Sequence, residues 1–276
     1  MSPSSSIHTG RSARLTRLGA GLAAAALLAA CGSSVHADHG VRNHNVRFEK
    51  LPFRVVDIDL AQARLALYWR RPGTHKPFGS IDALKQWGAR HGRHLLFAAN
   101  AGIYDSQRAP LGLYVEHGKA LVPLNTAHGD PAAGNFSLLP NGVFAIDRNG
   151  KASVRTTRAF ERDQADPQWA TQSGPMLVID GKLNPHFKAH SDSLKWRSGV
   201  CARTPTHVVF AISEAPVNFH TFARLFRDKL GCRDALYLDG TLSQFFVDGE
   251  YYGPPSFMVK PYAGMFAVFA GNESGQ

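Results

Sequence analysis

The stretch from His207 to Gly240 constrains the fold most. HVVFAIS (207–213) is a fully apolar run of strand length. VNFHTFARLFRDKLG (217–231) follows, with Phe219, Phe222, Leu225, Phe226 and Leu230 on one helical face. Asn218 is suited to cap that helix and Gly231 to end it. ALYLD (235–239) is a second apolar run. A buried strand, a one-faced helix and another buried strand have the form of a crossover unit with parallel strands.

The other segments read as more sheet. FRVVDIDL (53–60) and LALYW (65–69) read as paired strands, and HLLFAAN (94–100) as a buried one. SIDALKQWGARHG (80–92) reads as a helix capped by Ser80. GVFAIDRNGKASV (142–154) and MLVIDGKLN (176–184) read as hairpins across Asn149-Gly150 and Asp180-Gly181. QFFVDGEYY (244–252) and GMFAVFA (264–270) add strands near the end. A length of 276 residues allows one large domain or two small ones, but neither repeats nor a second composition regime divide the chain. The expectation is one α+β domain over residues 46–272, with mixed β-sheets and few helices.

Three Asp-Gly pairs invite comparison. Asp180-Gly181 and Asp248-Gly249 stand between strand-like runs on both sides, the pattern of hairpin turns. Asp239-Gly240 ends the crossover unit and leads into Thr241-Leu242-Ser243-Gln244. Ligands in such units bind beyond the carboxyl ends of strands. Ser213-Glu214 ends the other strand, so parallel strands would bring Glu214 and Asp239 to one sheet edge. Two carboxylates at one edge suit acid–base or nucleophilic glycoside chemistry; two unrelated loop acids are the bland alternative. Asn100 and Asp105 follow the strand 94–99. Gly174, before Pro175, either lets backbone approach a ligand or makes a simple turn. Arg197 supplies a fork suited to phosphate.

The amino terminus reads as a targeting segment. Arg11, Arg14 and Arg17 precede a short apolar run, residues 19–30, that is too short for a permanent membrane span. Leu28-Ala29-Ala30-Cys31-Gly32 resembles the bacterial lipoprotein signal, which implies cleavage before Cys31, a lipid on its thiol and a membrane partner; Gly32 after it suggests the outer membrane. A plain secretory signal with an incidental cysteine is the alternative. Residues 31–45 read as a polar tether. Without three arginines, the 31 basic residues fall to 28 against 21 acidic, a charge of +7 that favours anionic partners. No aromatic-interleaved basic stretch suggests nucleic acid. Cys201 and Cys232 either pair in an oxidising compartment or stay as buried thiols.

Taken in order, NAGIYD (100–105), QSGPMLVIDGKLN (172–184), RSGVCARTPTHVVFAISE (197–214), the Phe-rich helix and ALYLDGTLS (235–243) resemble the phosphodiester glycosidase family over roughly residues 50–270. That resemblance implies an α+β fold and cleavage of a sugar-1-phosphodiester in a glycan or glycoconjugate. The family's lysosomal pattern has Gly-Gly where this chain has Ala101-Gly102, and a glycine run where it has Thr241-Leu242. It also has Asp-Gly-Arg at Ser213-Glu214-Ala215, so the chain looks like the bacterial branch. The expected roles are Asp239 as acting carboxylate and Glu214 as the second. Arg197 would clamp phosphate, while Asn100, Asp105, Gly174, Gly240 and Ser243 would contact substrate. No HExxH and no paired Cys-His spacing occur, and a divalent cation on Asp105, Asp239 and backbone carbonyls is the metal arrangement left open. The rival class is a non-catalytic envelope protein that binds anionic polysaccharide during assembly or export.

Overall fold

The computed structural model describes residues 39–127, 135–240, 242–259 and 261–271. The largest sheet has seven strands. Their order is β1 (Val41–Phe48), β2 (Leu51–Asp59), β13 (His207–Ser213), β12 (Ser198–Thr204), β14 (Ala235–Asp239), β10 (Met176–Ile179) and β11 (Lys182–Leu183). A five-stranded sheet runs β16 (Glu250–Tyr252), β15 (Phe245–Val247), β4 (His94–Asn100), β17 (Met265–Ala270) and β3 (Leu65–Tyr68). Another runs β6 (Lys119–Val122), β5 (Tyr114–Glu116), β9 (Pro167–Ser173), β7 (Gly142–Asp147) and β8 (Ala152–Thr156). The helices are short: α1 (Ile81–Arg90), α2 (Thr157–Arg162) and α3 (Phe219–Arg224), which runs on as a π-helical turn, Leu225–Lys229. The fold is α+β, mostly sheet, as the sequence implies.

Strand alternation divides the large sheet's two faces. Val56, Ile58, Phe210, Ile212, Leu236 and Leu238 point into a core shared with Phe97, Phe245 and Phe266 of the second sheet and Phe144 of the third. Their neighbours Phe53, Val55, Val209, Ala211, Ala235 and Tyr237 point the other way, against Phe222, Leu225 and Phe226 of α3 and its π-helical turn. The α3 N-terminus is fixed as expected, for the Asn218 side chain accepts from the Thr221 N–H at 2.8 Å. Gly231, with φ +68°, follows the π-helical turn.

Both strands of the crossover unit run antiparallel to β12, which lies between them, and so run parallel to each other. Ser198 faces Ile212 on one side and Asp239 on the other, so both carboxyl ends emerge at one edge. Cys201 of β12 is bonded to Cys232 just after the helix, with the Cα atoms 6.1 Å apart. Two sequence expectations change. β2 pairs with β1 and β13, and β3 pairs with β17, so 53–60 and 65–69 belong to different sheets. The expected tether is also shorter: residues 41–45 already pair with Arg54–Ile58 in β1. Their polar side chains alternate on an edge strand with one solvent-facing side, which hid them from an apolar search. Cys31 and the apolar leader lie outside the described residues.

Candidate active site

Backbone geometry separates the three Asp-Gly pairs. Asp180 and Gly181 have φ of 49° and 75°, and Asp248 and Gly249 have 53° and 85°. Two successive left-handed residues make the tight turn that suits a two-residue hairpin, here β10–β11 and β15–β16. Asp239 and Gly240 lack positive φ, and β14 and β15 on either side lie in different sheets. The chain thus leaves one sheet for another at Asp239. Between them Gly240 and Ser243 are buried, with the Ser243 N–H donating to Gly240 O at 2.8 Å.

The Asp239 carboxylate is partly buried at this strand end. Loss of water pushes its pKa up to about 6, and the Gly240 N–H, donating to Oδ1 at 2.7 Å, is the one contact that opposes the rise. Three phenols feel its charge. Burial raises Tyr104, Tyr237 and Tyr262, and the Asp239 charge raises each further. Tyr237 Oη accepts from the Asn135 side chain at 3.1 Å. Gly240 is required here because a Cβ would lie 2.7 Å from Tyr237 Oη. Tyr262 Oη donates to Gln244 Oε1 at 3.2 Å. Tyr104 Oη is buried and has no hydrogen-bond partner among the described residues.

Arg197 does not present an open fork. It is 1% exposed. Its Nε and Nη2 donate to the carbonyls of Val217 and Ser193 at 2.8 and 3.0 Å, and its guanidinium lies 3.6 Å from the Phe219 ring centre. Only Nη1 has no hydrogen-bond partner among the described residues, and the side chain faces Tyr237. The expected bidentate clamp is therefore corrected to a single remaining donor. Trp196, whose carbonyl would lie 3.7 Å from a Cβ on Gly240, has a third such donor, the buried Nε1. Each unsatisfied buried donor costs about 1–3 kcal/mol.

Several residues expected at the site are bonded or packed within the protein. Asn100 is 1% exposed, and its Oδ1 accepts from the Gln244 N–H at 3.2 Å, fastening the loop after Asp239 to β4. Ser243 is fully buried with Oγ 2.8 Å from Ser198 Oγ. Asp105 folds its own loop, since Oδ1 accepts from the Gln107 and Ala109 N–H groups at 2.8 and 2.9 Å. The described residues hold no cluster of three or more His, Cys, Asp or Glu. Gly174 starts a cis peptide to Pro175 and packs so closely that a Cβ would meet Asn141 Oδ1 at 1.8 Å. Its role visible here is close packing.

Glu214 leaves the shared edge but turns toward β2. Its Oε1 lies 3.9 Å from Arg54 Nη2, and its N–H donates to Pro52 O. With β12 between their strands, the two carboxylates stand two strands apart, about 10 Å between backbones. Three phenols thus lie within reach of the Asp239 charge, while Glu214 lies beside Arg54. Tyr237 stands in an apolar strand, where a tyrosine reads as core, and Tyr104 stands within NAGIYD (100–105) with no signal of its own. Trp196, Asn135 and Tyr262 carry no sequence signal of a site.

Known proteins share this arrangement of the chain. A hypothetical protein of Synechocystis superposes with a TM-score of 0.55 at 13% identity; the match covers 84% of this chain but only 62% of that one. The catalytic domain of zebrafish N-acetylglucosamine-1-phosphodiester alpha-N-acetylglucosaminidase, auto-inhibited by its pro-peptide, superposes with a TM-score of 0.56 at 13% identity, covering 83% and 81%. At that identity the likeness is one of fold. The uncharacterized protein YigE of Escherichia coli K12 is 36% identical over 205 residues, 74% of this chain and 77% of its own. Residues 93–269 match phosphodiester glycosidase, and the chain belongs to the phosphodiester glycosidase family.

Proposed function

We propose that the protein is a hydrolase that cleaves a sugar-1-phosphodiester, with Asp239 as the acting carboxylate. One observation carries the reading: a carboxylate held near pKa 6 stands at a strand end within reach of the buried Tyr104 Oη, which has no partner among the described residues, while Arg197, with its unpaired Nη1, faces the neighbouring Tyr237. Unpaired donors suit a ligand rich in acceptor oxygens, which a phosphodiester is. Ionised Asp239 takes a proton from water as the water oxygen bonds to the anomeric carbon. The bond from that carbon to the phosphodiester oxygen breaks, and its electron pair leaves with the phosphate. A phosphate monoester has a second pKa near 6 and departs without strong acid help. Donors fixed in a low-dielectric site stabilise the charge that develops on it. Tyr237, whose Oη accepts from the Asn135 side chain, packs beside Arg197 and positions it. The test is a panel of sugar-1-phosphodiesters monitored for free reducing sugar, in water enriched in oxygen-18. Label should enter the sugar; label in the phosphate would place the cleavage at phosphorus.

The second reading, a binding protein for anionic polysaccharide, is favoured by the turn of Glu214 toward Arg54, which leaves one carboxylate alone. Binding of such a polymer with no sugar released from any diester would select it. We also infer an envelope location through lipid on Cys31, supported by Leu28-Ala29-Ala30-Cys31. Mass spectrometry of membrane-extracted protein tests this, and an unlipidated mature chain beginning elsewhere would reject it.

A further inference from the structure

A cavity of about 390 Å³ is walled by the β2–β3 connection, the β7–β8 hairpin and the start of β9, so all three sheets contribute to it. It lies at the opposite edge from Asp239. The Leu60 N–H donates to Thr206 O at 2.8 Å, beside the end of β13 where His207 faces Asp59, whereas Asp239 lies at the Ser213 end. The seven residues of β13 span about 20 Å. The third sheet agrees: Trp169 faces Ile146 near one end of β9, while Ser173 at the other end donates to Leu238 O. Leu65, Ile146 and Trp169 line the cavity and are buried, which gives it an apolar floor. Arg64, Asp147, Arg148 and Gln168 add planar polar groups. The Arg64 guanidinium lies 5.9 Å from the Trp169 ring centre. Arg148 Nε and Nη2 donate to Asp166 at 2.8 and 3.3 Å, which leaves Arg64 and Asp147, one charge of each sign. The walls are built in advance. Asp147 Oδ1 accepts from the Asn149 and Lys151 N–H groups, both at 2.8 Å, and Asp59 accepts from the Ala61 N–H and the Gln62 side chain at 3.0 and 2.9 Å.

We propose that this cavity is a second, non-catalytic site that binds an uncharged carbohydrate ring. The inference does not depend on the chemistry at Asp239. A volume of this size suits a small ligand. A sugar ring carries hydroxyls that both donate and accept, and C–H faces that are apolar. Guanidinium, carboxylate and amide groups together supply donors and acceptors for the hydroxyls, and an indole among aliphatic side chains takes a C–H face. The balanced charge gives an anion no advantage, and a wholly apolar ligand would leave the polar groups without partners. Walls already held by their own hydrogen bonds keep the ordering cost of binding low.

The experiment is saturation-transfer NMR on the full chain with methyl glycosides and trisaccharides of glucose, galactose, mannose and N-acetylglucosamine, and with glucose 6-phosphate as the anionic control. At least one neutral sugar should bind, and D239N should bind it equally well. R64A/R148A removes two exposed polar groups, and A61W fills the cavity from an exposed turn. Each should weaken binding at least tenfold while keeping a native circular dichroism spectrum. Absence of binding by every neutral sugar overturns the proposal, as does wild-type affinity in whichever of these variants is folded. Loss of binding in D239N also overturns it, since the sugar would then sit at the candidate active site. Tighter binding of glucose 6-phosphate than of methyl glucoside would make the cavity an anion site and overturn the assignment of a neutral ligand. Cleavage of the diester panel is followed separately, so failure of the hydrolase reading shows as no cleavage while this site is judged by binding alone.

Discussion

Replacement of Asp239 by asparagine should abolish hydrolysis and stabilise the fold, with a pH dependence set by one group. The folded carboxyl has a pKa near 6 against an ordinary 3.8, raised by burial. A raised carboxyl pKa means that the folded state holds the proton more tightly than the unfolded state. Below pH 3.8 both states are protonated and no cost exists. As pH rises from 3.8 through about 6 the unfolded chain ionises first, and stability is lost. Above about 6 the loss is complete, at most about 3 kcal/mol for roughly two units. The asparagine side chain has no charge to desolvate, so D239N should exceed the wild type at about pH 7.5 by up to that amount, or about 6–12 °C in Tm for a domain of this size. Near pH 4 the two should coincide. Thermal and urea unfolding at pH 4, 6 and 7.5 measure this, with activity followed in parallel. The wild-type kcat/KM should rise about tenfold from pH 5 to pH 7, following the ionised fraction of a base with pKa about 6. Equal stability of the two proteins at pH 7.5 would show that Asp239 is well hydrated, and the argument for a poised carboxylate would fail.

Other perturbations separate neighbours in the site. Tyr104→Phe deletes a buried hydroxyl without a partner, so it should leave stability unchanged or raised by about 1 kcal/mol while lowering kcat at least tenfold. A loss confined to KM would make Tyr104 a ground-state contact. Glu214→Gln weakens only a 3.9 Å pairing with Arg54, and should change stability by less than about 1 kcal/mol and kcat/KM less than threefold; a loss comparable to that of D239N would restore the two-carboxylate mechanism. Removal of the Cys201–Cys232 bond in a double alanine variant frees a closure of 31 residues and should cost about 3–4 kcal/mol. Urea unfolding with unchanged midpoint would show that the bond constrains little.

Periodicity exposed the parts of this fold that pack by apolar residues, and hid the parts that pack by polar ones. The crossover unit was legible because each of its strands is apolar throughout and α3 has one apolar face. β12, which separates those strands, begins Ser198-Gly199 and ends Arg203-Thr204, so it gives no comparable signal. β9 ends in Thr171, Gln172 and Ser173, all fully buried. Gln172 satisfies its whole amide group there: Oε1 accepts from Leu113 and Asn125 N–H groups, and Nε2 donates to Asn125 O and Thr157 Oγ1. Such a residue is core by hydrogen bonding, and composition cannot distinguish it from a loop glutamine.

The same limit explains the site. Asp239 could be singled out because the two other Asp-Gly pairs provided a comparison within one chain, and what followed each pair differed. Arg197, Asn100 and Ser243 had chemistry suited to a ligand but spend it on the protein: on the Val217 and Ser193 carbonyls, on the Gln244 N–H and on Ser198 Oγ. Residue type states what a side chain can bond, while the loops decide whether another protein group has already taken the bond. Tyr104 has the opposite history. Its phenol sits among the polar residues that follow β4, and burial without a partner among the described residues is what makes it informative. A polar group acquires a functional reading when the fold brings it out of water beside a charge and then leaves it unpaired. Within reach of the Asp239 charge that condition selects the Tyr104 hydroxyl, and against Tyr237 it selects Arg197 Nη1.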